Sequence, residues 1–65
     1  MMKCNLKEIL YIERITQVYL ADQVEIHKTT MARIVNEKTD PSLKNAYRIA
    51  KFLNRKIEDI WYEDE

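Results

Sequence analysis

A chain of 65 residues holds one domain with a modest core, so its stability rests on close packing or on subunit association. One cysteine, one histidine and no long apolar run exclude an internal disulfide, a four-ligand zinc site built from Cys4 and His27 alone, and a membrane span. The formal net charge is zero, yet eight basic against two acidic residues between His27 and Lys56 give that middle segment +6, the electrostatic footprint of a phosphate-binding face.

Glycine is absent, Pro41 is the only proline, and helical spacing recurs without sustained alternation. The pattern predicts an all-α chain. A first helix over about 6–13 follows Asn5 as N-cap and turns Leu6, Ile9 and Leu10 inward. A second covers about 17–23, capped by Thr16, with Ile15 as a staple beneath it. A third covers about 28–36. Glu37 to Pro41 form a loop with Asp40-Pro41 as its turn signal. Ser42 caps a fourth helix over 43–53, with Leu43, Ala46, Ile49, Ala50 and Leu53 expected to face inward. A short fifth helix spans about 57–61, and the chain beyond Trp61, including the acidic Glu63-Asp64-Glu65, is expected to fray. No heptad persists across the turns, so the expectation is a compact five-helix domain, not a coil.

The stretch Thr16 to Asn36 carries the functional signal. Leu20, Val24, Ile26, Met31 and Ile34 fall on apolar faces, and small Ala21 stands where two helices would cross. Lys28, Thr29 and Arg33 fall on the opposite face of the third helix. That is the layout of a helix-turn-helix, whose second helix lies in the major groove of DNA.

The chain resembles the phage repressor and Cro-like helix-turn-helix family, also called the XRE family, from about Leu6 to Trp61. The resemblance is carried by Ile15-Thr16-Gln17, Leu20-Ala21, Ile26, Thr30, Arg33-Ile34, Asn36, Pro41-Ser42-Leu43, Ile49-Ala50-Lys51 and the closing Ile57-Glu58-Asp59-Ile60-Trp61. It implies a lambda-repressor-like fold. It also implies that Gln17 holds a phosphate and braces the recognition helix. Lys28, Thr29, Ala32 and Arg33 would meet base edges. The chemistry agrees, since Arg and Lys donate to guanine O6 and N7, and a Thr or Ala methyl packs on the thymine methyl. Phosphate contacts are implied for Asn36, Lys38 and Thr39. His27, at the edge of that face, reads as a phosphate contact or only as a neighbour of the helix N-terminus.

Three departures from the family stand out. Glu25 occupies a turn where the family commonly has glycine at positive φ, and Glu37 and Asn54 replace glycines after helices three and four. Many relatives also pair an Arg on helix one with a Glu on helix three. Here Leu10 and Val35 occupy those places, which leaves no charge stranded.

The resemblance implies a cytoplasmic, sequence-specific transcriptional regulator, a repressor of prokaryotic or phage type that binds a palindromic operator as a homodimer. The expected seam comprises Arg55, Ile57, Glu58 and Trp61, although Trp61 and Tyr62 fit the top of the core equally well. The alternative is a protein-interaction module on the same fold, such as an anti-repressor or an antitoxin-like partner. No nucleophile–base pair, phosphate loop or metal constellation is present in the sequence, so no enzyme, cofactor or small-molecule ligand is expected. Residues 1–10 lack the apolar segment of a signal peptide.

Overall fold

Each of the four long helices is followed within two residues by a left-handed backbone, and none of these residues is glycine. The computed structural model describes residues 2–63. It contains β1 (Lys3–Cys4), α1 (Leu6–Glu13), α2 (Gln17–Val24), α3 (Lys28–Val35), α4 (Leu43–Leu53), α5 (Ile57–Ile60) and β2 (Trp61–Tyr62). Arg14, Glu25, Glu37 and Asn54 have φ of 59°, 59°, 60° and 58°. In each case two successive amides reach back into the helix. Arg14 N donates to Tyr11 O and Ile15 N to Leu10 O, at 3.3 and 3.0 Å. The same pair closes α2 at Glu25 and Ile26, α3 at Glu37 and Lys38, and α4 at Asn54 and Arg55. Such bonds satisfy carbonyls that a helix end would otherwise leave open. The family's glycines pointed to the turns at Glu25, Glu37 and Asn54. Arg14 was not anticipated.

Three connections share one build: a left-handed residue, a bridging residue, then the next N-cap. They are Arg14-Ile15-Thr16, Glu25-Ile26-His27 and Asn54-Arg55-Lys56. Thr16 Oγ1 accepts from Tyr19 N at 3.0 Å, and Ser42 Oγ from Asn45 N at 3.1 Å. Ile15 and Ile26 carry the chain inward at the first two turns, Ile26 buried and Ile15 half-buried against the core.

The core fills between these turns. α2 packs against both α3 and α4, and α4 packs against α5. Leu6, Leu20, Met31, Ile34, Ile49 and Ile60 are its largest fully buried side chains. Leu10 and Val35 are buried in the same cluster, consistent with an apolar replacement of the family's ion pair. Truncating any such side chain to Ala costs about 2–5 kcal/mol.

Four expectations need correction. Leu43 is 79% exposed, because it opens α4 directly after the Ser42 cap and its side chain leans past the helix end, away from the packed Ala46, Ile49, Ala50 and Leu53. Asn5 makes no side-chain cap; its Nδ2 donates to Asp59 O at 3.1 Å and its amide to Ile60 O at 2.8 Å, which ties α1 to α5. Trp61 does not extend the fifth helix. Its backbone is extended, it pairs with Cys4 across the antiparallel β1–β2 ribbon, and it is 3% exposed. It therefore belongs to the core and not to a surface seam. Tyr62 does not fray but pairs with Lys3, while residues 64–65 lie outside the described residues.

Cys4 is the buried residue of β1 in this ribbon. Its Sγ accepts from Leu6 N at 3.4 Å. Burial pushes its thiol up, against smaller opposing pulls from the Leu6 amide and the Trp61 indole. The indole's help is weak, since Trp61 Nε1 is buried without a hydrogen bond of good geometry.

Two outcomes follow. A left-handed non-glycine residue costs about 1–2 kcal/mol, and glycine's extra freedom in the unfolded chain returns about 0.4–1 kcal/mol of that. Glu25→Gly and Glu37→Gly should therefore each raise the thermal midpoint by a few degrees, and Asn54→Gly by less. A lower midpoint for Glu25→Gly would show that the turn is not strained. The raised Cys4 pKa means that the folded state keeps its proton longer than the unfolded state. Its contribution is complete below the thiol's unfolded pKa of about 8.5 and is lost as pH rises towards the folded value. Urea titrations of the parent and Cys4→Ala should diverge in pH dependence above that point. Parallel curves would mean that the thiol is not shielded.

Candidate nucleic-acid interface

The face that α3 offers is decided by the face it buries. Met31, Ile34 and Val35 are in the core. Thr29, Arg33 and Asn36, spaced i, i+4 and i+7, form a row on the opposite side, and all are exposed. Lys28 is exposed and Ala32 half-buried along one flank of that row. Thr30, which the sequence reading left without a role, is exposed on the other flank. The four predicted base-contacting residues therefore lie on one side of a helix roughly 12 Å long, a length that fits within a major groove.

His27 is the N-cap of this helix. Its Nδ1 accepts from Thr29 N at 3.2 Å. That bond requires an unprotonated Nδ1 and so places the ring proton on Nε2, where an exposed donor suits a phosphate oxygen. Both readings of His27 are thus compatible in one side chain. Asp22, Glu25, His27 and Lys28 line a shared recess between α2 and α3, so two carboxylates border the face. Sequence reasoning missed Asp22, because nothing in its spacing set it apart from a solvated helix position.

Gln17 is the first residue of α2 and is half-buried. Its side chain makes no hydrogen bond to α3 or to any other described residue, so the expected brace is not a hydrogen bond here. Its amide is left open to a phosphate.

Beyond α3, the amides of Asn36, Glu37 and Lys38 are occupied by Ala32, Ile34 and Arg33 carbonyls. Contacts to a DNA backbone from Asn36 and Lys38 must therefore come from side chains. Thr39 is half-buried, and its hydroxyl donates to Asp40 O at 3.4 Å. Asp40 in turn accepts from Met2 N through Oδ1 at 3.2 Å, which ties this loop to the strand at the N-terminus. That tie had no signal in the sequence, since Met2 and Asp40 are distant along the chain. Lys28, Arg33 and Lys38 are paired with no carboxylate among the described residues, so their charge faces outward.

The helix-turn-helix family model matches residues 12–60, more than half of the chain. The chain belongs to that family. A Methanocaldococcus jannaschii protein called an uncharacterized HTH-type transcriptional regulator is 45% identical over 65 residues, 98% of each chain. Two Archaeoglobus fulgidus proteins with the same description are 41% and 33% identical, over 98% of this chain and 90% and 91% of their own. The matched span of this helix-turn-helix protein runs from the end of α1 to the end of α5, so it contains the Glu25 turn and the whole of α3. No helix among the described residues is long and apolar enough to cross a membrane.

The cap can be tested directly. His27→Ala removes the acceptor for Thr29 N and should cost about 1 kcal/mol, while His27→Asn supplies another acceptor and should hold stability within about 0.5 kcal/mol of the parent. Chemical denaturation of both variants measures this. An Ala variant as stable as the parent would remove the capping role.

Proposed function

We propose that this protein is a sequence-specific, DNA-binding transcriptional regulator that works in the cytoplasm as a repressor and binds a palindromic operator as a homodimer. One observation carries the reading: α3 buries one apolar face and turns Thr29 and Arg33, with Lys28 on their flank, to solvent without a carboxylate partner among the described residues. Guanidinium and ammonium groups on a groove-sized helix are donors for guanine, and the Thr29 and Ala32 methyls suit thymine. Gln17, His27, Asn36, Lys38 and Thr39 flank that row and would fix its register on phosphates. The names of the archaeal relatives support a regulator.

The dimer follows from arithmetic. One short recognition helix spans a few base pairs, and specific affinity needs two half-sites about one helical turn apart. Arg55, Ile57 and Glu58 remain the proposed seam, without Trp61. Ile57 is half-buried against the core and Glu58 is exposed. Arg55 is engaged with Glu13 at 2.8 Å, so it would border the seam and not bridge it.

A salt-dependent mobility shift with a selected duplex tests the proposal against a purely protein-binding module. If each subunit neutralises about three phosphates, log affinity should fall with log salt at a slope of about −5 for the dimer. A salt-independent signal sinks the DNA reading. Arg33→Ala should relax sequence preference and cost roughly 1–3 kcal/mol, because it removes a base contact. Lys38→Ala should weaken every duplex alike. Equal loss of preference from both variants contradicts the division of roles.

A further inference from the structure

A second face, formed by α2 and α4 without any residue of α3, is built like a binding site. Its groove has a volume of 310 Å³ and is lined by Gln23, Glu25, Tyr47, Arg48, Lys51 and Phe52. Tyr19 extends it, with its ring centroid 6.4 Å from that of Phe52. Tyr19, Tyr47 and Phe52 are 50%, 56% and 40% exposed and together form an aromatic patch. Lys44, Arg48 and Lys51 run along α4 at i, i+4 and i+7, and α4 contains no acidic residue. Lys44 and Arg48 are paired with no carboxylate among the described residues. Lys51 Nζ is held 3.4 Å from the Tyr47 hydroxyl and 5.6 Å from its ring centroid. Aromatic rings beside Arg in a concave site are the composition of an interface hot spot.

We propose that this groove docks an acidic amphipathic protein helix, with carboxylates on the Arg48–Lys51 stripe and apolar anchors on Tyr19, Tyr47 and Phe52. Charge complementarity selects the occupant, since Arg48 and Lys51 outnumber Glu25, the one acidic residue of the lining. A nucleic-acid strand fits less well. Lys51 covers a face of Tyr47, and Tyr19 and Phe52 meet at 59° and present no parallel stacking platform. A second copy also fits less well. The exposed Tyr11 and Ile12 of α1 stand beside Glu8 as well as Lys7 and Arg14, so that patch brings no net acidic charge to the stripe. Such a head-to-tail contact would not close into a dimer.

The full chain, labelled with nitrogen-15, is titrated with a designed helical peptide of roughly 15 residues that carries Glu on its polar positions and Leu and Phe at i, i+3, i+4 and i+7. A peptide with Lys for Glu and an oligothymidine strand serve as the other arms. Saturable shifts confined to Tyr19, Gln23, Tyr47, Arg48, Lys51 and Phe52 are expected with the acidic peptide only. The Arg48→Glu/Lys51→Glu variant should bind at least about tenfold more weakly, with its helical signal retained. Tyr47→Ala, at an exposed position, provides an independent variant and should also weaken binding. No saturation by the acidic peptide, equal binding of the Lys peptide, or preferred binding of oligothymidine overturns the proposal. So does self-association of the unliganded chain that Tyr47→Ala abolishes.

Discussion

Burial of Met31, Ile34 and Val35 sets the orientation of α3, and the rest of the molecule is arranged around that constraint. A helix with three inward residues on one row has its outer row settled by geometry, whatever residues stand there. Exchange of Lys28, Thr29 or Arg33 changes the chemistry displayed without touching the support beneath. Such a division lets one scaffold carry many surface specificities. The turn at Glu25 and the loop after Val35 hold the two ends of that row, while the core holds its middle.

The absence of glycine makes the supporting turns informative about energy. Four non-glycine residues accept a left-handed backbone because the amides after them close a helix and an apolar or capping residue then finds its place. The local penalty is outweighed by bonds and burial that no other backbone route provides. Tertiary context overrides local preference at each of these positions. Arg14, Glu37 and Asn54 show that the override is general to the chain and not confined to the face of α3.

Sequence and structure agree where a periodic signal was strong. The four long helices follow from apolar spacing, and Thr16 and Ser42 cap because an oxygen stands at the right position ahead of each. The outer row of α3 was legible for the same reason. What was not legible depended on pairing across the chain. Cys4 and Trp61 alternate with nothing, so no two-residue strand could be read from them. Trp61, read as the end of the fifth helix and part of the seam, is removed from both by its extended backbone. Leu43 shows the complementary error, because an apolar residue in the right register can still lie beyond the end of the core. Asp40 and Glu13 acquire their roles only through Met2 and Arg55.

The β1–β2 ribbon has a consequence for the order in which the molecule can be completed. Synthesis runs from the N-terminus, so α1 to α4 exist before the segment that pairs with Cys4 has been made. Until Ile60 and Trp61 arrive, α1 lacks its acceptor for the Asn5 amide and Cys4 is uncovered. The ribbon joins residues almost the full length of the chain apart, and such long closures form late because their entropy must be met before their contacts help. A nascent chain truncated before Trp61 would expose the one thiol in the molecule. Accessibility of Cys4 is therefore a chemical timer for the end of folding.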